Sequence, residues 1–163
     1  MKMNLKPGWQ LMKFGDVVRQ CKESVDRDNN CFERYVEGGH MNSENIHIQI
    51  WGEFGSDYDG PAFHRIFRKG KVLYGSRRTY LKKVAVAEFD SITANTTLVC
   101  ETKDQNVFIQ ELLPFLMLTD SFTEHSIRES KGSTNTYINW PDIVKHKFPL
   151  PPLEEQKRIA EIL

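Results

Sequence analysis

A cluster of prolines that gives way at once to an uninterrupted helical pattern constrains this chain more than any other stretch. Pro149, Pro151 and Pro152 hold φ at about −65° and remove backbone donors, so the segment from Phe148 onward is expected to run extended and irregular until Leu153. From there Leu153, Gln156, Ala160 and Leu163, with Ile159 alongside, recur at three- and four-residue steps. That spacing makes a face that packs against another helix. No glycine or asparagine closes the pattern, so the helix is expected to continue beyond Leu163 and to have a partner. Residues 151–163 are therefore read as the truncated start of a spacer helix, and residues 1–150 as the domain before it.

With 163 residues, the chain is about one domain long. No apolar run reaches membrane-spanning length and the N-terminus has no secretory apolar region, so the expected place is the cytoplasm, with no membrane partner. Cys21, Cys31 and Cys100 are odd in number and lack metal-ligand spacing, which points to reduced thiols.

Net charge is zero, from 22 basic and 22 acidic residues, so a tail that coats nucleic acid indiscriminately is excluded. The charges are unevenly spread. Between Gly60 and Ala87 there is no Asp or Glu, while Arg65, Arg68, Lys69, Lys71, Arg77, Arg78, Lys82 and Lys83 crowd in beside Tyr74 and Tyr80. Cations interleaved with aromatics form a phosphate-and-base footprint. Solvated strand faces with snorkelling lysines would produce the same run. A second polar stretch, Lys131, Gly132, Ser133, Thr134, Asn135, Thr136 and Tyr137, combines a cation, a conformationally free glycine and short hydrogen-bonding side chains that bring backbone close to a phosphate or groove. A helix cap followed by a polar connector accounts for it equally from the residues alone.

The element pattern predicts an α+β fold, a curled or mixed sheet with flanking helices. Ile46 to Trp51 alternates apolar and polar, and Lys71–Tyr74, Val84–Phe89 and Thr96–Cys100 are short β-branched or aromatic runs. Asn106 to Leu118 has helical spacing, kinked or divided by Pro114. Ser121 to Glu124 offers a capping box for a second helix closed by Gly132, and Trp140-Pro141-Asp142 opens a turn or short helix. The segments 26–30 and 52–61 read as polar surface loops in which Asp57 and Asp59 do ordinary turn chemistry.

Several segments together resemble a known family. Trp9-x-Leu11-x-x-Phe14-Gly15-Asp16-Val17-Val18, the basic element from Leu73 to Val86, the loop Ser126 to Ser133 before a Trp-Pro-Asp-Ile turn, and the junction Pro-Leu-Pro-Pro-Leu-Glu-Glu-Gln-Lys-Arg-Ile-Ala are similar to the target recognition domain of DNA specificity subunits in type I restriction-modification systems. The resemblance implies a non-catalytic domain that reads one half of a bipartite target in double-stranded DNA. It also implies methyltransferase subunits and a restriction/translocase subunit as partners. S-adenosylmethionine, ATP and magnesium would be used by those partners and none bound by this chain. The packing face of Leu153, Gln156, Ile159, Ala160 and Leu163 would meet a helix of the same subunit, or, in this chain alone, its copy in a weak homodimer. The recognition domain of a fused single-chain restriction-methyltransferase is a related alternative.

Catalytic readings find little support. Leu150-Pro151-Pro152-Leu153 lacks the amide or carboxylate and the aromatic with which amino-methyltransferases hold a flipped base. Pro141-Asp142 followed by Glu155-Gln156-Lys157 has the letters of a metal-dependent nuclease, with Glu155 and Lys157 in a helix after prolines. His40, His47, His64, His125 and His146 make no zinc spacing, and no phosphate-binding loop or nucleophile elbow is present. The expectation is no catalytic and no metal residue.

Overall fold

The computed structural model describes residues 4–26, 32–53 and 63–163; most of the two polar loops, with Cys31, Asp57 and Asp59, lies outside them. In chain order the elements are β1 (Gln10–Lys13), α1 (Phe14–Val17), β2 (Val18–Gln20), β3 (Arg34–Val36), β4 (Gly52–Glu53), β5 (Phe63–Phe67), β6 (Val72–Gly75), β7 (Val84–Val86), β8 (Ser91–Ala94), β9 (Thr97–Thr102), α2 (Leu113–Met117), α3 (Asp120–Arg128), α4 (Trp140–Ile143), β10 (Lys147–Leu150) and α5 (Leu153–Ile162). Short 3-10 turns lie at Gly38–His40, Thr79–Leu81 and Gln110–Leu112. The α+β class holds, with the strands shared between an antiparallel sheet β2-β9-β6-β7, a second sheet β4-β3-β8-β5 containing the parallel pair β3–β8, and a ribbon β1–β10.

Period-two alternation explains the layering. Along β6, Val72 and Tyr74 point into the main core while Leu73 points the other way, and β9 repeats this with Leu98 and Cys100 against Val99. The first sheet is thus buried on both faces. Its main-core face carries α1, α2, α3 and the ribbon, with Phe14, Phe108, Leu113, Met117, Phe122 and Ile143 closing over it. Its other face meets Val36 and Phe67 of the second sheet. Covering each such side chain stabilises the fold by roughly 1.5–3 kcal/mol. Gly15 belongs to the same packing: a Cβ there would lie 2.5 Å from Val144 Cβ, while its N–H donates to the Val144 carbonyl at 3.1 Å. Cys21 and Cys100 are free thiols, and burial pushes the Cys21 thiol up to about 11.

Four expectations are corrected. Phe148–Leu150 is not irregular: it is a strand, with Pro149 opposite Leu11 in a ribbon where a missing N–H is tolerated because the proline lies on an edge. Ile46–Trp51 does not form a strand. Ile48 alone of its alternating isoleucines is well buried, Ile50 and Trp51 are exposed, and the segment touches the first sheet's edge through Val86 N–H to the Ile46 carbonyl. Asn106–Leu118 is not helical throughout, and of the two roles expected of Pro114 the kink is not seen: the segment is divided into the 3-10 turn Gln110–Leu112 and α2, in whose first turn the missing donor of Pro114 is of no consequence. Thr119, not Ser121, caps α3 by accepting the Phe122 N–H at 3.3 Å, and Gly132 (φ 89°) sits in the following turn rather than at the helix end.

The terminal helix α5 is tied to this domain. Gln156, expected on a partner-facing seam, is buried within the chain: its Oε1 accepts the Ile109 N–H at 3.1 Å, and its Nε2 donates to the carbonyls of Val107 (2.8 Å) and Pro151 (2.9 Å). Leu153, Ile159 and Ala160 pack partly buried on the main core, and of the helix's large apolar side chains Ile162 and Leu163, at the far end, are exposed. Trp9 Nε1 donates to Glu155 at 3.0 Å from the other side. Replacing Gln156 by leucine leaves one amide N–H and two carbonyls unpaired, so urea denaturation of Gln156→Leu should show a loss of about 2–4 kcal/mol.

His146 adds a pH dependence. Its ring lies against Phe122 (5.2 Å), Phe148 (6.3 Å, stacked) and His125 (5.1 Å), and its Nε2 is buried without a partner. Burial first, then the His125 and Arg128 charges, push its pKa from 6.5 down to about 4. The fold therefore prefers the neutral ring. That contribution is complete above the unfolded value and is lost as pH falls through the folded one. Melting temperature should decline from about pH 6.5 toward pH 4 with a slope that His146→Phe reduces, as calorimetry across that range would show.

Candidate nucleic-acid interface

The basic element divides where β6 ends. Gly75 is the last strand residue, and Ser76 is buried with its hydroxyl donating to the Thr96 carbonyl at 2.5 Å. The chain then leaves the sheet and pairs with the polar stretch further along: Ile138 N–H donates to the Ser76 carbonyl at 2.9 Å, and Arg78 N–H to the Thr136 carbonyl at 2.7 Å. Arg77 faces Tyr137 across this short antiparallel bridge, with the guanidinium 5.9 Å from the ring centroid. Tyr137 and Lys131 exchange both backbone hydrogen bonds, at 2.8 and 3.0 Å, closing a turn in which Gly132 takes the left-handed conformation. Ser133, Thr134 and Asn135 form its exposed tip.

The far side is equally shaped by backbone. Arg78 (φ 47°) and Lys82 (φ 51°) are both left-handed and bracket the 3-10 turn Thr79–Leu81. Non-glycine residues held there are strained and depend on surrounding structure. Thr79 is buried with an unpartnered hydroxyl, while Tyr80 stands 53% exposed. Together these segments border a concavity of about 270 Å³ lined by Arg77, Arg78, Lys83, Asn135 and the turn Glu37–Gly39, with Lys83 Nζ donating to the Gly38 carbonyl at 2.6 Å.

Of the expected contacts, the structure brings together Arg77, Arg78, Lys83, Lys131, Gly132, Ser133, Thr134, Asn135 and Tyr137, with Tyr80 on the adjoining turn. Among the described residues Arg77, Arg78 and Lys83 have no carboxylate partner; of the residues brought together here Lys131 does, and the other paired cations lie outside this set. Tyr74 is corrected outright: it is a core residue whose hydroxyl donates to Ser126 Oγ at 2.9 Å, with its pKa pushed up to about 12 by burial. Lys71 is bound to Glu101. Arg68 lies between Glu23 (2.6 Å) and Asp90 (3.3 Å) and holds the Glu23 carboxyl below its usual range. Lys69 adjoins the same pair through its N–H to Asp90, and Arg65 is half-buried on β5 opposite Ser24. Lys82 is spent on Asp120 (2.7 Å) and Glu44 (3.6 Å), and Lys131 reaches Asp142 at 3.6 Å. The turn Glu37–Gly39 was not read from the sequence as part of a site, although two adjacent glycines between Glu37 and His40 mark a backbone reversal.

The nuclease letters do not assemble. Asp142 binds Lys131 and Lys145 (3.5 Å), and its carbonyl accepts from His125 Nε2 at 2.8 Å, whereas Glu155 is engaged by Trp9. Among the described residues no group of three or more His, Cys, Asp or Glu could hold a metal ion, and no helix is long and apolar enough to cross a membrane.

The α+β domain thus carries a concavity bordered by Arg77, Arg78 and Lys83 beside a polar turn. Residues 7–163 match the family model of the type I restriction modification DNA specificity domain, and the chain belongs to that family, whose members are recognition components rather than catalysts. It is 28% identical over 162 residues to the EcoDI specificity subunit of a type I restriction enzyme from Escherichia coli, covering 93% of this chain and 33% of that protein. The fold matches a chain from a type I R-M system studied for complex assembly and conformational transition (TM-score 0.83, 24% identity, 99% of this chain and 42% of that one). It also matches the HsdS subunit of Thermoanaerobacter tengcongensis (TM-score 0.81, 24% identity, 98% and 42%). An S subunit from M. genitalium is similar at a TM-score of 0.64 and 15% identity, over 99% and 40%. The chain thus spans about a third of the curated relative.

Proposed function

We propose that this chain recognises double-stranded DNA as one half of a bipartite target, and that partner subunits act on the site it selects. The observation that carries the reading is the convergence of Arg77, Arg78 and Lys83, free of carboxylate partners, on one concavity beside Asn135. Unpaired cations attract phosphates, and Arg and Asn match guanine and adenine edges. The backbone pairing of 76–78 with 136–138 holds cations and polar turn in one register. Methyltransferase subunits using S-adenosylmethionine and a restriction/translocase subunit using ATP and magnesium are the partners in this proposal. The free end of α5, Ile162 and Leu163, would meet a helix of the same subunit or of a second copy.

The test is DNA binding as a function of salt. Each neutralised phosphate adds about 0.9 to the logarithmic slope, so Arg77→Ala/Arg78→Ala should bind more weakly and flatten the slope by about 1.8. An unchanged slope in a folded double variant would move the interface elsewhere. The chain by itself should neither transfer methyl groups from labelled S-adenosylmethionine nor cleave DNA with magnesium. Cleavage that disappears in Asp142→Ala would favour the nuclease instead.

A further inference from the structure

Resting on the DNA-recognition reading, we infer that Glu37 is a specificity-determining residue that accepts the exocyclic amino group of a cytosine in the major groove. Glu37 lines the same concavity as Arg77, Arg78, Lys83 and Asn135, yet pairs with none of those cations. Its place is set by its own turn. The Glu37 carbonyl accepts the His40 N–H at 2.9 Å and the Glu37 N–H donates to His40 Nδ1 at 3.1 Å, while the His40 ring lies 5.6 Å from that of Tyr35. Lys83 holds the turn from below through the Gly38 carbonyl. Above it there is room: a Cβ on Gly38 would meet nothing within 4 Å, and one on Gly39 only Glu37 Oε1 at 3.7 Å.

A carboxylate here opposes binding to the backbone of any DNA, because it repels phosphate beside cations that attract it. What it adds is discrimination. An ionised carboxylate only accepts hydrogen bonds, so it rejects guanine O6 and N7 and thymine O4, and it is satisfied only by an amino donor. Adenine offers its N6 amino group next to the N7 acceptor, which the same carboxylate would oppose; cytosine offers N4 without a neighbouring acceptor. A neighbouring arginine then suits the guanine across the pair.

Duplexes selected from a randomised pool by the wild-type chain and by Glu37→Gln provide the test. Glutamine leaves the turn's backbone bonds to His40 intact, removes the charge and supplies an amide that pairs with adenine. The wild type should select cytosine at one position. Glu37→Gln should lose that preference by about tenfold or more and turn toward adenine there, with other positions and the salt slope unchanged and binding to unselected DNA no weaker. A folded Glu37→Gln that still selects cytosine makes Glu37 a turn cap only and overturns the inference. A wild type that selects no sequence at all overturns the DNA-recognition reading as well, so the two failures are distinct.

Discussion

Burial of β6 on both faces is the constraint from which the rest of the molecule follows. Val72 and Tyr74 on one side and Leu73 on the other leave no face for solvent, so helices must cover the first sheet and a second sheet must back it. Antiparallel pairing with β9 from Val72–Cys100 to Gly75–Thr97 carries the strand to a fixed exit point. Beyond Gly75 the backbone leaves the sheet: Ser76 N–H still donates to the Thr96 carbonyl, but the Ser76 carbonyl and the Arg78 N–H pair with Ile138 and Thr136. The register of the core thereby becomes the register of the interface.

This arrangement divides a run of cations that is continuous in the chain. Lysines and arginines that flank the strands lie near Glu23, Asp90, Glu101 and Asp120 and are neutralised by them. Of those carried past the end of β6, Lys82 is paired with Asp120 and Glu44, while Arg77, Arg78 and Lys83 have no carboxylate partner among the described residues and their charge stays available to an anionic partner. Exposed ion pairs contribute little stability, so the pairing matters here chiefly because it leaves Arg77, Arg78 and Lys83 as the unpaired cations of this run around one concavity. The left-handed residues Arg78 and Lys82 fit the same account, since strain persists where packing over-determines it.

At the other end, the ribbon β1–β10 brings the chain's early and late segments together, and α5 follows directly from it. Gln156 makes that junction rigid by supplying hydrogen bonds to an irregular stretch at 107–109 that has no ladder of its own. A helix anchored in this way keeps a fixed direction relative to the domain, while Phe148 of the ribbon stacks on His146 and keeps a titratable ring in an apolar site.

The sequence alone determined the class of fold, the presence of strands near 71–74, 84–89 and 96–100, found at 72–75, 84–86 and 97–102, the helix after the prolines and the family, because those depend on local periodicity, on the φ limits of proline and on motif order. It also singled out the charge run and the polar turn, which the fold brings side by side. Tertiary structure decided which members of those segments face outward. Tyr74 and Gln156 look like contacts when read locally, yet each fills a gap made by residues 47 to 52 positions away, Ser126 in one case and Val107, Ile109 in the other. Likewise Ile46–Trp51 has the alternation of a strand without a partner edge to complete it, and Glu37 reaches the cations only through the parallel pairing of β3 with β8. Periodicity reports which side chains could share a face; which face is buried, and against what, depends on long-range pairing that no local pattern encodes.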